Sequence, residues 1–342
     1  MEPLKTAIIG CGPRADGHAK AAREGGALEL VYACDVDGER ADKAAADWGV
    51  RATTDPEQIF ADSAVDAVVI VTNVGTHVPL ARTALEAGKH VIVEKPLGDD
   101  ISDARALIEL AGKTDRVVYV SFQLRFMAKM QAIRGLLPEI DPVQIFFGRS
   151  RGMMKPQFLN PSPFCGIMDV CAHDFDLISW FMGRPPEAVT AVVRRNTFTA
   201  ATDAADSATV LIDYGDGRSA IVASSIGAAD IGTKVDVAGA CGNLSMAKSG
   251  DVAGVTFARN DSAGKKTPID FEALISHPSD DDLKSNFGNM DIGLQHAFRC
   301  EVRTGARSDA ARLQDGLNSL LVTMASLISA KEGRRVALAE LQ

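Results

Sequence analysis

Residues 1 to about 121 alternate short apolar runs with helical stretches, and little chain lies between them. The runs are Ala7-Ile8-Ile9, Leu28 to Cys34, Asp66 to Thr72, Val91 to Glu94 and Arg116 to Phe122. Val91-Ile92-Val93 has no polar residue at every second position, so both faces of such a strand must be covered. Strands that alternate with helices pair in parallel, with the helices layered on both sides of the sheet. A doubly wound α/β domain is therefore expected over residues 1–122.

The turn after the first run reads Gly10-Cys11-Gly12-Pro13-Arg14-Ala15, a G-x-G-x-x-A sequence that opens a helix. Gly10 permits a tight turn, Gly12 lets the backbone approach a pyrophosphate, and the small Ala15 lets the helix pack close to the sheet. The helix N-terminus then offers N–H groups and a favourable dipole to phosphates. Asp35 stands twenty residues after Ala15, at the end of the second run. A carboxylate there accepts hydrogen bonds from the adenosine ribose hydroxyls and repels a 2′-phosphate. NAD is thus favoured, with Arg40 keeping NADP open. Open parallel sheets bind ligands beyond the carboxyl ends of their strands, which places Thr72, Glu94 and Lys95 where cofactor and chemistry are expected.

The helices of this half carry their own signals. Ala41, Ala44, Ala45 and Trp48 share a face that stops at Gly49, Asp55-Pro56 reads as an N-cap and first helical position, and Pro79 to Ala87 closes at Gly88. Ile101, Ala104, Ile108 and Ala111 follow a cap at Asp99 or Asp100.

Between residues 141 and 271 the pattern changes. Val143 to Phe147, Ala188 to Arg194, Ser207 to Asp213, Ser219 to Ala223 and Lys234 to Ala238 read as strands, and Tyr214-Gly215-Asp216-Gly217 joins two of them as a hairpin. Runs of strands without intervening helices predict an antiparallel sheet. Val210 and Ile212 point one way and Leu211 the other, so one face suits helices and the other a second subunit. A homodimer or homotetramer is expected.

Composition narrows the function. A net charge of -9 without a cluster of Lys and Arg argues against nucleic acid, which demands clustered positive charge. Met1 leads directly into the first strand without an export signal, and no apolar run could span a bilayer, so a cytoplasmic protein with no membrane partner is expected. Cys11, Cys34, Cys165, Cys171, Cys241 and Cys300 show no C-x-x-C spacing, which favours free thiols. The acidic run Asp280-Asp281-Asp282 reads as a solvated loop, and His77, His277 and His296 show no partner in sequence.

Polar chemistry gathers in Gly166-Ile167-Met168-Asp169-Val170-Cys171-Ala172-His173-Asp174-Phe175-Asp176, a loop entering a helix. Asp169 and His173, at i and i+4, lie on one helix face. Taken alone the pair reads first as structural, a cap or a satisfied core histidine. With Asp176 it has mixed oxygen and nitrogen ligands, but no second histidine or cysteine completes a firm site and no metal is expected.

The glycine turn with His18 eight residues after Gly10, the run Thr72 to His77, Glu94-Lys95-Pro96, Arg125-Phe126 and Asp169-x-x-x-His173 resemble, in order and spacing, the Gfo/Idh/MocA family of NAD(P)-dependent oxidoreductases. The resemblance covers nearly the whole chain. It implies an N-terminal Rossmann domain over 1–122 and, over 123–342, a substrate and oligomerisation domain with a large, mostly antiparallel open sheet. Helices at Asp291 to Arg303 and Ala310 to Ala330 would return to the first domain. The implied activity is hydride transfer between NAD and a ring secondary alcohol or ketone of a sugar or cyclitol. The family also contains glycosidases that oxidise transiently with a held NAD, and non-catalytic NAD-binding sensors.

By the same resemblance Lys95 is the active-site lysine, its bond to Pro96 open to the cis form. His173 is the acid/base, since a secondary alcohol that loses hydride must also lose its hydroxyl proton near neutral pH. Lys95 places positive charge beside the alkoxide, and Asp169 orients His173 or grips a neighbouring hydroxyl. Arg125 joins these three at the substrate. Pro13, Arg14, Asn73, His77, Glu94, Lys95 and Gln123 join Gly10, Gly12, Ala15, Asp35, Arg40 and Thr72 at the cofactor, whereas His18 is expected to pack. Asn73-Val74 stands where relatives carry Pro-Asn, Phe164-Cys165-Gly166 is poorer in glycine than its counterparts, and Met153 to Pro163 matches no substrate subgroup. His173-Asp174-x-Asp176 resembles inositol dehydrogenases in particular.

Overall fold

The five apolar runs of the first half form strands β1 (Leu4–Ile9), β2 (Leu28–Cys34), β4 (Ala67–Ile70), β5 (His90–Val93) and β6 (Val118–Val120), and a short polar strand that the apolar pattern does not mark, β3 (Arg51–Thr53), is added to them. They come from a computed structural model that describes residues 1–150, 166–195, 205–227, 232–249, 252–259, 267–268 and 290–341. Cys165, His277, the run Asp280 to Asp282, Met153 to Pro163 and Phe164 lie outside the described residues. The strands are ordered β3-β2-β1-β4-β5-β6, and every neighbouring pair is parallel. Helices α1 (Pro13–Gly25), α2 (Gly38–Trp48), α3 (Pro56–Ala61), α4 (His77–Glu86) and α5 (Ile101–Ala111) alternate with them.

The capping chemistry is local. Asp37, Asp55 and Asp100 accept backbone N–H bonds at the starts of α2, α3 and α5, and Gly26 and Gly49 take left-handed conformations at the ends of α1 and α2. β4 and β5 are buried along nearly their whole length, as continuous apolar runs require. Leu4, Ile8, Val69, Ile92 and Tyr119 form one core with Ala15, Ala19 and Ala22 of α1, whose small side chains bring that helix close to the sheet. Burial of each branched side chain in it contributes roughly 1.5–3 kcal/mol.

His90 makes this core sensitive to acid. Its Nδ1 accepts the Val117 N–H at 3.0 Å, and its Nε2 lies 3.3 Å from Arg116 Nη1, so protonation would lose an acceptor and meet a cation. Burial first, then Arg116, pushes its pKa from 6.5 to about 4. Only the unfolded chain takes up this proton between those values, so stability is present above pH 6.5 and falls as pH drops towards 4. For a partly solvated ring the expected loss is about 1–2 kcal/mol, and urea denaturation across this range should show a flatter slope for His90→Gln.

The second half begins with α6 (Ala128–Ile140), β7 (Pro142–Ser150) and α7 (Ile167–Met182). Strands β8 (Ala188–Arg194), β9 (Ser207–Asp213), β10 (Ser219–Ser225), β11 (Gly232–Gly239), β12 (Gly242–Ser249), β13 (Val252–Arg259) and β14 (Thr267–Pro268) follow. The chain closes with α8 (Met290–Thr304), α9 (Leu313–Glu332) and β15 (Val336–Ala337). Nine strands make one sheet in the order β14-β13-β12-β11-β7-β10-β9-β8-β15. Its pairs are antiparallel except β7 with β10. The exception has a cause: α7 and the β8–β9 hairpin intervene between β7 and β10, and so long a connection can bring a strand back in the same direction.

The expected hairpin is present, with positive φ at Gly215, Asp216 and Gly217. Val210 and Ile212 are fully buried, while Leu211 is 44% and Val192 51% exposed, so the two faces differ as their alternation predicts. Pro138 within α6, and the Gly, Ser and Ala that dilute β12 and β13, leave these three elements without a clear local sequence signal.

The molecule divides into two units, Met1–Ala128 with Pro278–Leu317, and Lys129–His277 with Asn318–Gln342. In the first, α8 packs on α1 beneath the parallel sheet. In the second, α7 lies against β7 and β10. Among the described residues no helix is long and apolar enough to cross a membrane.

Candidate active site

In the first unit the glycine turn is built around Asp35. The Asp35 carboxylate accepts the Cys11 N–H at 2.8 Å and the Asp37 N–H at 2.9 Å, and the Gly10 N–H bonds the Cys34 carbonyl at 2.7 Å. Gly10 has φ +96°, and a Cβ there would run into the Val71 carbonyl, so glycine is required. A Cβ at Gly12 would meet nothing within 4 Å, and no side chain caps α1, whose first residue is Pro13. The backbone can therefore be approached closely at a helix N-terminus, which fits a pyrophosphate. Ala15 is wholly buried. Arg40 folds onto the acidic residues, 3.1 Å from Asp35 and 3.2 Å from Asp37, with 55% of its side chain exposed.

Beyond β4, the Thr76 hydroxyl donates to the Asn73 carbonyl and shares a bond with Thr72 Oγ1, both at 2.8 Å, which closes a short 3-10 turn over Val74–Thr76. His77 is 2% exposed, with Nδ1 2.8 Å from the Pro96 carbonyl and Nε2 3.0 Å from the Thr72 carbonyl. Gln123 opens another 3-10 turn, and its buried Oε1 takes no hydrogen bond among the described residues. Such an atom fits a ligand that donates a hydrogen bond.

Glu94 is the hub under Lys95. Its Oε1 accepts from Arg14 Nε at 2.7 Å and Ser121 Oγ at 2.9 Å and contacts His18 Nε2 at 2.9 Å, while Oε2 accepts the Lys95 N–H at 3.1 Å. Burial would raise its pKa, but the bonds from His18 and the nearby Arg14 charge hold it well below the ordinary carboxylate range. Arg14 is gripped on its other edge by both oxygens of Asp291, at 2.8 and 2.5 Å. The structure thus engages the Arg14 guanidinium with two carboxylates, and Asp291 is a partner that no local signal announces, 277 positions away. His18 packs, fully buried, against this network.

Lys95 leaves β5 at a cis bond to Pro96. Arg125, 3% exposed, pairs with Asp315 at 3.1 Å and donates to the Asp309 carbonyl at 3.2 Å, which ties the Gln123–Phe126 turn to the start of α9.

In the second unit Asp169 and His173 occupy the first two turns of α7, one turn apart. The residues on either side of His173 are fastened. The Ala172 carbonyl accepts Ser319 Oγ at 2.9 Å, and the fully buried Asp174 carboxylate pairs with Arg149 and accepts Ser224 Oγ at 2.9 Å. Asp176 is also buried, towards Tyr214, whose hydroxyl shares a 3.1 Å bond with Ser179. Among the described residues no three His, Cys, Asp or Glu side chains gather as a metal site.

Residues 4–122 match the oxidoreductase family with an NAD-binding Rossmann fold, GFO/IDH/MocA, and residues 128–245 match the GFO/IDH/MocA C-terminal domain. The chain belongs to the GFO/IDH/MocA family. Inositol 2-dehydrogenase 4 of Saccharopolyspora erythraea is 28% identical over 327 residues, covering 90% of this chain and 95% of that one. UDP-N-acetylglucosamine 3-dehydrogenase of Acidithiobacillus ferrooxidans is 32% identical over 232 residues, covering 66% and 68%. An oxidoreductase from Agrobacterium radiobacter, solved in complex with NAD+, L-tartaric acid and magnesium, has the same fold, with TM-score 0.84, 23% identity and 100% of both chains covered. This GFO/IDH/MocA protein is accordingly an oxidoreductase with an NAD-binding Rossmann domain. Its Gly10 to Ala15 turn and Asp35 lie within that domain.

Proposed function

We propose that this oxidoreductase oxidises a ring secondary hydroxyl of a cyclitol or sugar, or reduces the matching ketone. The observation that carries the reading is the Asp169–His173 pair on one face of α7, its helix held by Ser319, Arg149 and Ser224. The relatives named as dehydrogenases of inositol and of a sugar nucleotide support the substrate class.

NAD, when bound, supplies the ring that accepts or returns the hydride. The chain's own groups do the rest. His173 takes the hydroxyl proton through an imidazole nitrogen, and Asp169 orients the ring or holds a neighbouring hydroxyl. Lys95 sets a positive charge beside the oxygen as it becomes an alkoxide, and helps relay the proton. Gly10, Gly12, Pro13 and Ala15 frame the pyrophosphate, Asp35 takes the ribose hydroxyls, and Thr72, Asn73 and Gln123 complete the cofactor's surroundings. Arg14 and Glu94 serve it through their network, and Arg125, held by Asp315, joins Lys95, Asp169 and His173 at the substrate.

Asp35 also sets cofactor choice, because its negative charge opposes a 2′-phosphate while it holds Arg40. Asp35→Asn is expected to weaken NAD by about 10–100-fold, the scale of a charged hydrogen bond, and to shift preference towards NADP as Arg40 is released. Fluorescence titration with the two reduced cofactors measures both changes.

The exposed sheet face bearing Val192 and Leu211 supports a homodimer or homotetramer, to be measured by sedimentation. The defining test mixes protein with NAD or NADP and a panel of cyclitols, hexoses and glycosides, and follows reduced nicotinamide. Net reduction is expected. Release of free sugar without it would replace this reading with a self-recycling glycosidase.

A further inference from the structure

The β4–β5 ladder ends at Ile70 opposite Val93, and the Glu94 N–H to the Ile70 carbonyl, at 2.9 Å, is its last rung. Beyond that rung both chains leave the sheet, one towards Thr72 and the 3-10 turn, the other towards Lys95 and Pro96. The imidazole of His77, first residue of α4, lies between them. Its Nδ1 is 2.8 Å from the Pro96 carbonyl and its Nε2 3.0 Å from the Thr72 carbonyl. With 2% of the residue exposed, water does not compete for these contacts.

We infer that His77 is a positioning residue for Lys95, its ring fastening the turn that carries the lysine to the end of β4. The inference rests on the role proposed for Lys95. It also gives His77 a different place from that of a cofactor-contacting side chain, since both ring nitrogens face backbone carbonyls. A neutral imidazole donates to one of the two carbonyls at a time and an imidazolium to both. The imidazolium bonds both segments, and the neutral ring bonds one and packs against the other. No longer aliphatic or amide side chain has two polar atoms on opposite edges of such a ring, so the geometry is particular to histidine. The fastening matters because a displacement of a reacting group by about 1 Å, caused by a change far from the chemistry, costs as much as about 10²-fold in rate.

The test compares the full-length protein with His77→Leu and His77→Gln by amide hydrogen exchange and by kinetics. Gln keeps an amide nitrogen with N–H donors on one end of its side chain, so it can hold a carbonyl. Exchange at residues 72–76 and 94–98 is expected to accelerate at least about tenfold in His77→Leu, to be largely restored in His77→Gln, and to stay unchanged in β1. With a polyol that reduces NAD, kcat is expected to fall about 10–100-fold in His77→Leu, by a larger factor than KM for NAD rises, with partial rescue by Gln. Unchanged exchange at 94–98, or acceleration of equal size in β1, would overturn the inference, the second by reducing His77 to a packing residue. Lys95→Met keeps the two proposals apart. If it retains full turnover, the role of Lys95 fails whatever His77 does; if it abolishes turnover and His77→Leu leaves kcat unchanged, the positioning role alone fails.

Discussion

His173→Ala is expected to lower turnover by roughly 10² to 10⁴, the range for loss of a positioned general acid/base, while NAD affinity stays within a few-fold. The separation follows from placement: His173 lies in the second turn of α7, and the glycine turn and Asp35 belong to the parallel-sheet unit. The fold should survive the change, because Ala favours a helix and the fastenings of α7 act through the neighbouring Ala172 and Asp174. Steady-state kinetics with the best polyol of the panel, beside fluorescence titration of NADH, measures the two quantities. Full turnover with normal cofactor binding would remove His173 from the acid/base role.

Arg149→Ala should destabilise the second unit by about 3–5 kcal/mol, since it strands a buried carboxylate without its guanidinium. Asp174 is fully buried, the Arg149 side chain is 9% exposed, and the pair joins β7 to α7. An exposed pair would contribute little, and burial is what makes removal of one partner costly. Replacing both groups, Arg149→Met with Asp174→Leu, is expected to recover most of the loss, because neither charge of the pair is then left in the core. Urea denaturation of the two variants measures the effect. A loss below about 1 kcal/mol for Arg149→Ala would mean that the carboxylate is relieved by other means. Since Asp174 follows His173 directly, the single variant should also lose turnover beyond what its unfolded fraction explains.

The sequence by itself determined the parts whose physics is local. The unbroken apolar run Val91-Ile92-Val93 dictates a strand covered on both faces, and the spacing from Gly10 to Ala15 and on to Asp35 dictates a glycine turn and an acidic residue that the structure joins through the Cys11 N–H. Asp169 and His173 share a face because an α-helix returns every 3.6 residues. The hairpin at Tyr214 to Gly217 follows from residues that tolerate positive φ.

Tertiary structure alone decided the rest. Pro138 argues locally against the helix α6, and small residues dilute the alternation of β12 and β13. Arg14 meets Asp291, Arg125 meets Asp315, Asp174 meets Arg149, and His77 is caught between two backbone carbonyls. Sequence spacing reports how a segment meets itself, whereas a buried charge finds its partner wherever the packed chain brings one within reach, and the high cost of leaving it unpaired is felt only once water has been excluded.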